Sequence, residues 1–206
     1  MKNYTKRVAL LTAIIMATCY FKVSAVPAAG SYYKLKIYHY KTPAQYQALS
    51  NYLQQAYVPA MHRLGFKSIG VLHTMEKDTA DRRVYVFIPF NNLGKIEDVD
   101  EKLSKDKLYI EQSKGYTNAI YNAAPYSRLE IVILKAFTGM PKPEIPLLAA
   151  AKSDRIYELR SYESATEKYH INKVDMFNAG DEIGIFNRLG FNAVFYSSVI
   201  AGSRMP

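Results

Sequence analysis

Two stretches of this chain share the letters Arg-Leu-Gly-Phe, at Arg63–Phe66 and again 125 positions later at Arg188–Phe191. Each copy carries a residue that weakens a helix six places before its glycine, Pro59 in the first and Gly184 in the second. A second match lies upstream. Tyr157-Glu158-Leu159-Arg160-Ser161-Tyr162 resembles Tyr33-Lys34-Leu35-Lys36-Ile37-Tyr38 at an offset of 124. Two motifs in one order at nearly one separation read as a duplication, and a duplicated unit is expected to fold as the same supersecondary unit twice.

The first copy shows what that unit is. Residues 32–40 alternate, with Tyr33, Leu35, Ile37 and His39 on one face and Lys34, Lys36, Tyr38 and Tyr40 on the other. Period two is a strand. Thr42-Pro43 then supplies a helix cap followed by proline at the first helical position. Tyr46, Leu49, Leu53, Ala56, Ala60 and Leu64 recur at helical spacing, and Gly65 ends the helix. Residues 66–75 read as a second strand, 76–81 as a polar turn and 83–88 as a third strand rich in valine and aromatics. Asn91 or Asn92 caps further helix from Leu93 to Leu103, and a more polar helical stretch reaches about Tyr121. Residues 127–136 form the fourth strand. The order β-α-β-β-α-β is the ferredoxin-like pattern of an α+β fold.

Gly139, Pro141, Pro143 and Pro146 make residues 137–152 a stiff linker between a first domain at 31–136 and a partial second domain at 153–206. The second copy lacks counterparts of the third strand, second helix and fourth strand. It reads as the start of a longer module, or as a strand-helix-strand appendage that completes its sheet on the first domain or on another chain.

The amino terminus has a separate logic. Lys2, Lys6 and Arg7 precede an apolar run from Val8 to Phe21, and Val23-Ser24-Ala25 places small residues at a cleavage point. Fourteen apolar residues are too few for a membrane span, which takes about 20. Residues 1–25 therefore read as a signal peptide of an exported, periplasmic or extracellular protein. The single cysteine, Cys19, falls within it and is either lost on cleavage or used as a lipid anchor. Removing this leader takes four basic residues, and the formal charge falls from +9 to +5. So mild an excess argues against nucleic acid as a partner.

The Tyr-x-Leu-Arg-x-Tyr opening at Tyr157–Tyr162, the helix ending in Arg-Leu-Gly-Phe and the strand after it together resemble the NIPSNAP family. The first copy departs from the pattern, with Lys34 and Lys36 where the second has Glu158 and Arg160. The resemblance implies tandem ferredoxin-like modules of the dimeric α/β-barrel type, paired within one chain as a pseudo-dimer or between chains as a homodimer. Folds of this type include small monooxygenases and haem-degrading enzymes, so a cofactor-independent or haem-degrading oxygenase is the enzymatic alternative to a ligand-binding or scaffolding module. The family supplies no catalytic motif to carry across, and fold alone does not confer function.

The residues point to binding before catalysis. There is no Gly-rich phosphate loop, no Gly-x-Ser-x-Gly and no His-Glu-x-x-His. No histidine pair is spaced for a helical zinc site, and no cofactor or metal is expected. His39, His62, His73 and His170 have no duplicate in the other copy. His62, near the helix end beside Pro59, reads as a haem ligand or proton shuttle, or as a surface histidine suited to the helix dipole. The duplicated pair is Lys36 and Tyr38, matched by Arg160 and Tyr162. With Leu35 and Ile37 packing on helices, Lys36 and Tyr38 would face the space that a barrel encloses. A cation beside a phenol suits a small anionic or flat aromatic ligand. The competing reading is a structural ion pair with Glu158 or Glu130.

Overall fold

The computed structural model describes residues 31–75, 81–203 and 205–206. The expected signal peptide and Cys19 lie outside the described residues. No helix among the described residues is long and apolar enough to cross a membrane.

The chain is α+β, with one antiparallel five-stranded sheet. Strand β1 (Tyr32–Tyr40) is followed by α1 (Pro43–Asn51), a π-helical turn (Tyr52–Tyr57) and α2 (Val58–Arg63). Next come β2 (Gly70–His73), β3 (Arg82–Phe90), α3 (Lys95–Lys105), α4 (Lys107–Thr117) and β4 (Arg128–Ala136). The second half holds α5 (Glu167–Asn178), α6 (Glu182–Arg188) and β5 (Ser197–Ala201). The sheet order is β2-β3-β1-β4-β5, so the first four strands have the arrangement expected of a ferredoxin-like unit. The second strand is shorter than its sequence suggests, since only four residues of 66–75 join the ladder.

Local chemistry sets the helix ends. The Thr42 hydroxyl accepts the Gln45 N–H at 3.2 Å, and the Thr166 hydroxyl accepts that of Tyr169 at 3.4 Å. At the other end the two copies close alike. Phe66 N–H donates to the Met61 carbonyl at 3.0 Å, and Phe191 N–H to that of Phe186 at 3.1 Å. Gly65 and Gly190 turn the corner at φ +92° and +79°, where a side chain would be strained.

Pro59 does not end the helix. It has no N–H to give and its ring crowds the preceding turn. The π turn just before it relieves the conflict, with the Val58 N–H reaching back to Leu53 O. The second copy interrupts its helix at the corresponding place by other means. α5 stops at Asn178, and α6 restarts after Asp181, a non-glycine residue at φ +62°.

The linker is pinned to the second half. Phe137 N–H donates to Tyr196 O at 3.0 Å, Glu144 N–H to Val194 O at 2.9 Å, and Gly139 N–H to the Asn178 side chain at 2.9 Å. β5 pairs with β4 through Leu134↔Val199 and its neighbours, so the last strand of the second copy extends the sheet of the first. Tyr157–Tyr162, expected as a strand, forms no regular element and joins no ladder.

Both faces of the sheet are covered, and the two faces of β1 are the reverse of the sequence expectation. Tyr38 belongs to the core beneath the helices, with Leu49, Tyr52, Ala56, Tyr57, Val86 and Leu103. Tyr33 and Leu35 lie on the opposite face with Phe87, Val132 and Leu134, and Phe195 and Val199 pack against them. The reason lies in the helices. Their inner surface carries Tyr52, Tyr57, Tyr109 and Tyr116 among its aliphatic residues, and tyrosine rings pack as hydrocarbon while their hydroxyls tolerate a polar neighbour. Lys36 and Tyr38 suit that surface, and Leu35 with Tyr33 suits the phenylalanine and aliphatic layer opposite.

Candidate functional site

β1 and the π turn bring a cation and several phenols together inside the helix–sheet layer. Lys36 Nζ lies 4.6 Å from the centre of the Tyr57 ring and 5.3 Å from that of Tyr38. Such contacts attract a cation to the ring face. Tyr52, from the same π turn, stacks on Tyr116 of α4 with ring centres 3.7 Å apart, and its hydroxyl pairs with that of Tyr109 at 2.9 Å. Tyr126 meets Tyr38 edge-on at 5.6 Å. Helical turns of the π type occur often at functional sites because the widened turn redirects side chains. Here it points both Tyr52 and Tyr57 inward, where they are 5% and 1% exposed.

The electrostatics of this nest are unusual. Burial lowers the Lys36 amine from its usual 10.5 to about 8, aided by the like charge of Lys34 and opposed by Asp100. Asp100 itself pairs with Lys34 at 3.6 Å. Burial raises the phenols of Tyr38, Tyr52, Tyr57 and Tyr116 well above the ordinary tyrosine range. The hydroxyls of Tyr38 and Tyr57 are buried without a hydrogen-bond partner among the described residues, that of Tyr38 turned toward Tyr116 without completing a bond. A buried polar group left unpaired costs about 1–3 kcal/mol, so two such hydroxyls, on the rings that Lys36 contacts, mark a layer that a polar group would improve.

The other expected site residues are placed elsewhere. Arg160 and Tyr162 form their own group in the second copy. Arg160 pairs with Glu158 at 2.9 Å and lies 5.4 Å from the ring centres of Phe186 and Phe191. Tyr162 packs edge-on against Phe177 at 5.9 Å. In both copies, therefore, the strand cation leans on aromatic rings, and in neither does it face away from the helices. An ion pair with Glu158 is real for Arg160, and Glu130 is engaged elsewhere. His62 is exposed at the end of α2 and donates to the Phe66 carbonyl at 2.8 Å, which secures its own helix corner.

One cluster was not anticipated. On the opposite face, His39 sits between two carboxylates, with Nδ1 2.8 Å from Asp81 and Nε2 3.1 Å from Glu130. Asp81 is held at about 2, first by its hydrogen bonds from Arg83 and also by His39. Glu130 is lowered chiefly by the Ser203 hydroxyl, 2.8 Å away, and by Arg128. With each imidazole nitrogen committed to a different carboxylate, the group is a clamp joining β1, β3, β4 and the C-terminal segment. It lacks the single convergent point that a metal needs, and no metal-binding cluster occurs among the described residues. No sequence signal marked it: the ladders bring its members together, with Arg83 and Arg128 opposite His39 and Tyr85 and Glu130 opposite Ile37.

Two surface clefts lie away from both clusters. One, of about 370 Å³, opens between the π-turn helix and the β2 edge, lined by Leu53, Val58, Pro59, Val71 and His73. The other, of about 450 Å³, lies between the linker and α6. No family model, curated protein or solved structure matches this chain.

Proposed function

We propose that this chain is a small-ligand-binding module of NIPSNAP-like, exported type, whose ligand carries an anionic group on a flat apolar body. The anion is received by Lys36 with the hydroxyls of Tyr38 and Tyr57, and the flat body stacks among Tyr52, Tyr109 and Tyr116. One observation carries the reading: a depressed lysine and two unpaired buried phenols meet at a π turn. An anion would stabilise the buried charge on Lys36 and satisfy the hydroxyls, so its binding energy would come from groups that are costly when empty. The strand order, together with β5 on the edge of β4, supports a tandem ferredoxin-like reading of the whole chain.

Entry is by movement of α3 and α4, which cover the nest. Few polar ties hold them: Lys34–Asp100, Arg63–Asp106 and the Tyr52–Tyr109 pair. The test uses benzoate, a flat carboxylate, titrated against protein with isotope-labelled tyrosine. Saturable shifts of the Tyr38 and Tyr57 ring signals are expected, lost in Lys36→Met. Affinity should fall as pH rises past about 8, where the free amine gives up its proton. Unmoved tyrosine signals, together with a bare protein mass for material purified from its own host, would count against a ligand site here.

A further inference from the structure

Two lysines stand two places apart on one face of β1, and they are held in different ways. Lys34 is 5% exposed and has Asp100 at 3.6 Å. Lys36 has no such partner. Among the described residues no carboxylate lies within ion-pair distance of its amine, and no carbonyl accepts from it. What it touches are the ring faces of Tyr57 and Tyr38, at 4.6 and 5.3 Å from their centres. An amine set in an apolar layer beside a second cation gives up its proton readily and becomes a nucleophile. Burial and the charge of Lys34 act on Lys36 in that direction. The characteristic reaction of an uncharged lysine amine is addition to a carbonyl carbon.

The surroundings narrow the carbonyl compound. The Tyr38 and Tyr57 hydroxyls lack partners and belong to the same rings that Lys36 contacts. Each is a free donor, and a carboxylate next to a ketone supplies acceptors for both. We propose that Lys36 forms a reversible imine with the ketone of a 2-oxo acid carrying a flat apolar body, whose carboxylate is held by Tyr38 and Tyr57. This rests on the tyrosine nest being a ligand site and names the ligand class for it. The nitrogen lone pair bonds to the carbonyl carbon as the C=O π bond opens, and one nitrogen proton passes to the oxygen. The carbinolamine then loses its hydroxyl with the second nitrogen proton, so C=N forms and one water leaves. Nothing is oxidised or reduced, and addition of water by the reverse path releases the ligand.

The test is reductive trapping on the intact chain at neutral pH. Phenylpyruvate is the probe, and cyanoborohydride fixes any imine as a secondary amine. Digestion and mass spectrometry then locate the adduct. Near 8, Lys36 holds about 300-fold more free amine at neutral pH than an ordinary lysine, and enclosure gives part of that back. Lys36 should therefore carry the adduct at least about tenfold ahead of any other lysine. Benzoate, a flat carboxylate without a ketone, should slow labelling at Lys36 and nowhere else, and Lys36→Met should show no selective label. Tyrosine ring shifts with benzoate but no adduct on Lys36 would overturn the imine and leave the nest as an anion site. A selective adduct on Lys36 that benzoate does not slow, with unmoved tyrosine signals, would support the imine and overturn the anion reading. Label spread evenly over the lysines would overturn the proposal, and that result is read on the unaltered protein without need of a variant.

Discussion

Lys36→Met tests the tyrosine nest most directly, because the outcome expected runs against the usual cost of a core substitution. In the folded chain the amine titrates near 8 rather than 10.5. At about 1.4 kcal/mol per pH unit, keeping that charge in the folded state at neutral pH costs about 3 kcal/mol. Loss of the contacts with the Tyr38 and Tyr57 rings returns about 0.5–2 kcal/mol of this. Methionine fills a similar volume and adapts its shape. The variant should therefore be more stable at pH 7 by about 1–2.5 kcal/mol. Urea unfolding across pH supplies an internal check on the sign. Between pH 8 and 10 the unfolded chain holds the Lys36 proton and the folded chain does not, so stability of the unaltered protein should rise with pH. Above 10 the trend reverses, since the buried phenols stay protonated while their unfolded counterparts ionise. Lys36→Met should lose the rise and keep the fall. A variant less stable than the original at pH 7, or an original protein flat between pH 8 and 10, would refute burial as the source of the shift.

Two further expectations concern the ties around the site. Asp106 caps α4 by accepting the Tyr109 N–H at 3.0 Å and also holds Arg63; Asp106→Ala should cost about 1–2 kcal/mol in urea unfolding and loosen hydrogen exchange in α4 before the sheet. The His39 clamp sets acid sensitivity. Asp81 and Glu130 are both depressed in the folded chain, so their contribution is present above about pH 4 and is lost as pH falls through their folded values; Asp81→Asn should flatten that part of the acid profile followed by circular dichroism.

Much of the fold was legible because it rests on local chemistry. The alternation in β1, the Thr42 cap and the two glycine corners each follow from a few adjacent residues. The face of β1 that meets the helices was not legible. Period two separates two faces but does not say which is inside when both are buried, and Leu35 and Tyr38 are both core residues. The π turn was hidden because Pro59 reads as a helix breaker, whereas the fold relieves it one turn upstream. The site was half legible. Lys36 and Tyr38 stand out as a duplicated pair, but Tyr57 joins them only through the packing of helix on strand. The His39 clamp is more remote still, drawing on partners 42 and 91 residues away.

The two helical segments differ in length by one residue between their caps and their glycine corners, Thr42 to Gly65 against Thr166 to Gly190. In an uninterrupted helix one added residue would rotate everything after it by about 100°. Here the Arg-Leu-Gly-Phe corner keeps the same hydrogen bonds in both copies. The slack is taken up in one place, by a widened turn in the first copy and a left-handed step in the second. That place works as an expansion joint. Sequence length can change there without altering the phase of the corner or the heading of the chain that leaves it. Removing one residue from 179–181 would thus shorten the joint and leave both ends in register, while the same deletion inside α5 would turn its buried Phe177 away from Phe137 and Tyr196.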